Sequence, residues 1–205
     1  MLGCIARLSS RVFLGEEICR NESWLAITSE YTIVSFVAAA KLRPFPSFIR
    51  PLVNLLDSDC RKAKAALAES RAIISPVIEQ RRRLRKEALA NGTPAPSFND
   101  AIDWAESECK GRDYDAAVVQ LTLSFAAIHT TTDLLTQTLI MLAMHPEFID
   151  PIRQEMASTL AAEGWQKNAL FNMKLLDSAI KEAQRLKPGG LCKFLCMIPA
   201  LRPSF

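Results

Sequence analysis

Histidine is almost absent from this chain of 205 residues, occurring only as His129 and His145. The six cysteines, at positions 4, 19, 60, 109, 192 and 196, form no Cys-x-x-Cys pair and hold no ligand-like spacing to either histidine. That pattern argues against tetrahedral zinc and supplies no disulfide framework for a chain of this size. No metal ligands are expected, and the thiols read as mostly buried and inert in a reducing compartment. Strand-like alternation is almost missing, and no internal repeat is found. The formal charge of +3 is too small to imply a nucleic-acid partner. No run of residues reaches the roughly 18 apolar positions that a bilayer span requires. Arg7, Arg11, Glu16 and Glu17 interrupt the amino-terminal segment, so it lacks the apolar centre of a signal peptide. A soluble chain is the expectation.

What remains is helix. Hydrophobic residues make up 49% of the chain against 23% charged, enough apolar surface for a folded core. Residues 22–41 place Trp24, Ile27, Tyr31 and Val34 close to a 3.6-residue period. Pro44 and Pro46 then break the pattern. A second long helix is expected from Cys60 to Ala90, kinked or divided at Pro76 and stopped by Asn91-Gly92-Thr93-Pro94. Its cluster Arg81-Arg82-Arg83-Leu84-Arg85-Lys86 reads as a solvated face. Asn99 or Asp100 can cap a short helix over Ala101–Cys109. The longest element, 113–144, would span about 45 Å at 1.5 Å per residue. It is apolar on nearly every face from Ala116 to Ile128, which places it in the middle of a protein. Pro146 opens a helix running to Gly164, and Leu175–Leu186 forms the last one. The fold class is therefore all-α around a central helix at 113–144. Residues 1–188 are expected to form a single incomplete domain, with 189–205 as a divergent tail.

Two groups of residues on these helices could carry chemistry. Ala126, Ala127 and Thr130 fall on roughly one stripe, where small side chains let a flat, bulky group approach the backbone beside a hydroxyl. His129 stands next to them and could relay a proton near neutral pH. The same residues also suit plain helix packing, with threonine hydroxyls bonding back to the preceding turn. Glu182 and Arg185 lie one turn apart on a helix that otherwise presents Leu176, Ala179, Ile180 and Ala183. They can form an ordinary salt bridge or a structural clamp.

Taken together, these segments resemble the cytochrome P450 family of haem-thiolate monooxygenases, particularly the filamentous-fungal enzymes of terpenoid and other secondary metabolism. Ala126-Ala127-Ile128-His129-Thr130-Thr131 is similar to the family's (Ala/Gly)-Gly-x-(Asp/Glu)-Thr-(Thr/Ser), with Ala127 at the glycine and His129 at the acid. His145-Pro146-Glu147 with Ile152-Arg153-Gln154-Glu155 resembles the helix that follows it. Glu182-Ala183-Gln184-Arg185 matches the family's Glu-x-x-Arg, and Ser10-Arg11-Val12-Phe13-Leu14-Gly15 with Trp24 resembles the segment before the substrate-access helices.

The resemblance implies a lipophilic small-molecule substrate, haem as cofactor and NADPH-cytochrome P450 reductase as partner for full-length members. It implies that Ala126 and Ala127 lie over the haem face and that Thr130 helps deliver protons to bound dioxygen. Glu182 and Arg185 would lock the core near the haem. It also implies a cysteine in Phe-x-x-Gly-x-x-x-Cys-x-Gly beyond the Glu-x-x-Arg helix, a motif that does not follow Arg185 here. Cys192 and Cys196 stand outside any glycine-rich loop and too close to Arg185 to reach beneath a macrocycle. The chain thus looks truncated at both ends. It is expected to bind no haem by itself, and without a thiolate there is no electron push for oxygen cleavage. The family is anchored in the endoplasmic-reticulum membrane; a chain without that anchor would be cytoplasmic or unstable. The alternative is a non-catalytic helical binding protein, or the product of a decayed or mispredicted gene.

Overall fold

The computed structural model describes residues 1–188 of the chain. The elements are α1 (Leu2–Ile18), α2 (Glu22–Leu42), α3 (Arg50–Leu56), α4 (Ser58–Ala90), α5 (Ala101–Cys109), α6 (Ala116–Met144), a 3-10 turn (Pro146–Phe148), α7 (Ile149–Glu163), α8 (Lys167–Asn172) and α9 (Lys174–Leu186). No strand occurs among the described residues, as expected of an all-α chain. The tail beginning at Gly189, with Cys192 and Cys196, lies outside them.

Several starts are capped as the sequence indicates. The Asn21 side chain accepts from Trp24 N at 2.9 Å, and the Asp100 side chain accepts from Asp103 N at 3.0 Å. Asp57 caps α4 through Asp59 N and Cys60 N. α6 begins at Ala116 instead of Asp113, because Asp115 takes the capping role and accepts from Ala117 N at 3.1 Å. Pro76 does not divide α4, which is continuous from Ser58 to Ala90.

The described residues divide into two compact units, Met1–His129 and the part from Thr130 onward, with the division falling inside α6. In the first unit, Leu14, Ile18, Trp24, Ile27, Ile74, Ile78, Ile102, Ala117 and Leu121 form one buried cluster drawn from α1, α2, α4, α5 and α6. The indole Nε1 of Trp24 donates to Ser10 Oγ at 3.1 Å, so the largest buried side chain also has its polar edge satisfied.

The arginine cluster on α4 departs from its reading as a solvated face. Arg82 pairs with Glu106 and Arg85 with Asp103, but the Arg81 side chain is only 3% exposed, against a fully buried Asp100. Arg81 Nη1 donates to Asp100 Oδ1 at 2.9 Å and Nη2 to Asp100 Oδ2 at 2.7 Å, while Glu17 of α1 supplies a second carboxylate. The guanidinium also stacks on Phe98, 4.1 Å from the ring centroid. Burial pulls its pKa down, yet its hydrogen bonds to Asp100 and Glu17 outweigh this and hold it above its ordinary value. The chain makes room at Gly15, whose φ of 72° is left-handed and where a Cβ would meet Asp100 Oδ2 at 2.5 Å.

α2 corrects another expectation. By length and composition it is the one helix among the described residues apolar enough to cross a membrane. Glu22 and Lys41 sit near its ends and Glu30 is its sole interior charge, so the apolar character emerges over the whole helix and not as an unbroken run. Trp24, Ile27, Thr28, Thr32 and Ala38 are nonetheless buried against protein.

In the second unit, α7 and α9 are joined at the start of α9. Glu155 accepts from Leu175 N at 2.8 Å and from Leu176 N at 3.0 Å. The two backbone N–H groups hold its carboxyl below the usual glutamate range, against the opposing effect of desolvation. A carboxylate here also complements the positive end of the helix.

Candidate functional site

Along α6 the buried and open sides separate cleanly around the stripe singled out by sequence. Leu121, Ser124 and Ile128 are buried, whereas Thr122, Ala126 and Thr130 are exposed and Ala127 is half-buried. Positions 122, 126 and 130 are successive i, i+4 neighbours, so they form one strip along the helix. At its centre a methyl group is all that stands between an approaching group and the backbone. The threonines near the strip bond back as their chemistry favours: Thr122 Oγ1 donates to Val118 O at 2.7 Å and Thr138 Oγ1 to Leu134 O at 2.8 Å.

His129 is half-buried, and its Nε2 is buried without a hydrogen-bond partner. Gln120 Oε1 and Ser124 Oγ, on the same helix, are buried and unpartnered too. Sequence reasoning passed over both, because a glutamine and a serine inside an apolar helix look like interruptions.

Glu182 and Arg185 meet as the spacing predicts. Arg185 Nε donates to Glu182 Oε2 at 2.7 Å and Nη2 to Glu182 Oε1 at 2.6 Å, a two-pronged contact. Both side chains are more than half exposed, so the buried setting expected of the pair is not what residues 1–188 provide. The hydrogen bond from Arg185 lowers the Glu182 pKa, and the same contact raises that of Arg185. Glu182 also edges an apolar groove of about 390 Å³ whose floor includes Met141, Ile152, Leu175 and Ala183.

A haem needs a flat, small-residue face on one side and an axial donor for its iron. The strip at Ala126 and Ala127 offers the face. The donor is another matter: the described cysteines, 4, 19, 60 and 109, all precede α6. Cys19 and Cys60 are buried, and burial pushes the Cys60 thiol up, away from the thiolate that would bind iron. Among the described residues no group of three metal-binding side chains assembles. Residues 1–188 therefore fit the face of the group and not its iron ligand.

The Cytochrome P450 family model matches residues 7–193. The chain is similar to cytochrome P450 monooxygenase 2 of Gibberella fujikuroi, with 53% identity over 191 residues, 91% of this chain and 40% of that protein. It is also similar to cytochrome P450 monooxygenase adrA of Penicillium rubens, with 47% identity over 94% of this chain and 38% of that protein. Against cytochrome P450 monooxygenase hepE of Aspergillus oryzae the identity is 48%, over 91% of this chain and 34% of that protein. The chain spans about two fifths of the length of the curated relatives it matches. No solved structure matches it significantly.

Proposed function

The chain belongs to the cytochrome P450 family, and on that footing we propose that it supplies the helical wall of a monooxygenase against which haem and a lipophilic substrate lie. The observation that carries this reading is the exposed strip of Thr122, Ala126 and Thr130 on a helix whose Leu121, Ser124 and Ile128 are buried. Ala126 and Ala127 are the flat surface, Thr130 places a hydroxyl at its edge, and His129 occupies the position of the family's acid. When bound, haem supplies oxygen activation; the residues of this chain bind, orient and exclude water. Glu182 and Arg185 act as a clamp between α9 and a part of the protein outside residues 1–188, which explains why they pair yet stay exposed. Residues 1–188 are read as one incomplete domain of that enzyme. The complete protein draws electrons from a reductase, sits at the endoplasmic-reticulum membrane and oxidises a secondary metabolite. By itself the 205-residue chain binds no haem.

A chimera tests the assignment. Residues 1–188 replace the matching segment of the Gibberella fujikuroi monooxygenase, to which the chain is 53% identical. The chimera is expected to bind haem with the thiolate-type carbon-monoxide spectrum of its parent. Within it, Ala126→Trp fills the face and lowers haem content roughly tenfold, the middle of the range for overpacking. Leu89→Trp, at a position 83% exposed, leaves haem content unchanged. A folded chimera that takes up no haem, or one indifferent to Ala126→Trp, refutes the reading.

A further inference from the structure

The unit from Thr130 onward carries an apolar groove of about 390 Å³ that no described residue fills. α6 contributes Met141 and Leu142, the 3-10 turn contributes Phe148, and α9 contributes Leu175, Ala179 and Leu186 from one face. Phe148 is 47% exposed and Leu186 45%. A concave surface of such side chains is held against water at a cost, and it calls for an apolar cover.

The chain supplies an occupant of matching chemistry. The groove reaches Leu186, the last residue of α9, so the chain leaves the helix at the groove itself. Pro188 bars continuation of the helix, and Gly189-Gly190 admits the backbone conformations that a reversal needs. The 13 residues of α9 span about 20 Å, a length that about six extended residues cover. Residues 191–198 are long enough, and seven of those eight are apolar, with Lys193 the one charge. Charge matches as well. Glu182 lines the groove with its side chain 52% exposed. Its oxygens accept from Arg185 and retain lone pairs for a second cation. Direct attachment also favours this segment over the same segment of another molecule, because a short tether holds it at a local concentration on the order of millimolar.

We infer that residues 191–198 turn back along α9 and occupy the apolar groove between α6, the 3-10 turn and α9, with Lys193 toward Glu182. The unit is then covered by the segment that follows it. This inference stands apart from the placement of haem against α6, and neither depends on the other.

Cys192 and Cys196 are the reporters for the test. Ala179→Cys puts a thiol in the groove. Gln184→Cys puts one on exposed α9 surface that does not line the groove and is nearer the reporters in sequence. The full 205-residue chain is treated with a mild thiol oxidant and its disulfides are located by peptide mapping without reduction. The thiol introduced at 179 is expected to join Cys192 or Cys196 of the same molecule at least about tenfold faster than the one introduced at 184, since docking adds to the effect of the tether. In urea the two positions react alike. Phe194→Ser with Leu195→Ser keeps the length of the tether and lowers the rate at 179 to that at 184. Equal rates at the two positions in the native chain overturn the inference, as does a rate at 179 that Phe194→Ser with Leu195→Ser leaves unchanged. A disulfide that forms chiefly between molecules and falls with dilution also overturns it, and would make a second copy the occupant.

Discussion

Asp100→Ala is expected to destabilise the Met1–His129 unit by about 3–5 kcal/mol, the cost of leaving one member of a buried ion pair without its partner. The Arg81 side chain is 3% exposed and Asp100 is fully buried, so neither charge can turn to water when the other is lost. Glu17 remains, but its side chain is 38% exposed and it contacts only one side of the guanidinium. Asp100 also caps α5 through Asp103 N, so the substitution frays that helix as well. Replacing both partners, as Arg81→Met with Asp100→Asn, costs much less than the sum of the single changes, because no fully buried charge is left unpaired and the 38% exposed Glu17 can turn to water. Urea unfolding followed by far-ultraviolet dichroism measures all three. A cost near 1 kcal/mol or below for Asp100→Ala would place the pair in the surface class and contradict its burial.

Trp24→Ala is expected to cost about 3–5 kcal/mol through the cavity it leaves in the cluster formed by Leu14, Ile27, Ile74 and Leu121. Trp24→Phe retains much of the packing and loses the donor to Ser10, a change of about 1 kcal/mol plus a smaller cavity. The chain reports on this directly. Of its three tryptophans only Trp24 is buried; Trp104 is 50% exposed and Trp165 89%. The blue-shifted part of the native emission therefore belongs to Trp24 and disappears in either variant. Equal stabilities for Ala and Phe at this position would show that the indole does not fill the core.

These two sites mark where reading the sequence succeeds and where it stops. α2, α4, α6, α7 and α9 were legible because apolar spacing, Asx caps and the stops at Pro44, Gly92, Pro146 and Gly164 act within a few residues of one another. α1 was not, because Arg7, Arg11, Glu16 and Glu17 obscure its apolar side. Its kink at Gly15 serves a contact with Asp100, far along the chain. α3 was lost among prolines, although Pro51 stands in the first turn, where its missing N–H does no harm. Arg81 hid inside a run of like charges. Nothing local separates it from Arg82 and Arg83; only pairing with Glu17, 64 residues away, and Asp100, 19 residues away, makes it a core residue.

The functional residues divide along the same line. The pairing of Glu182 with Arg185 is a matter of one helical turn, so sequence alone placed it. Its exposure depends on what packs over α9, which spacing does not encode. The strip at Ala126 and Thr130 was legible because small residues recur at i and i+4. The buried, unpartnered atoms of Gln120, Ser124 and His129 were not, since a missing hydrogen bond is a property of the surroundings and not of the residue.

The central proposal is that residues 1–188 form the haem-facing wall of a cytochrome P450 and that the iron ligand lies outside them. Its most direct test is a titration of the refolded 205-residue polypeptide with haemin, followed by reduction and exposure to carbon monoxide. The account predicts no thiolate-type band at any ratio, the spectrum remaining that of the carbon-monoxide complex of haem without a thiolate ligand. Appearance of that band would mean that a cysteine of this chain reaches the iron, and would contradict it.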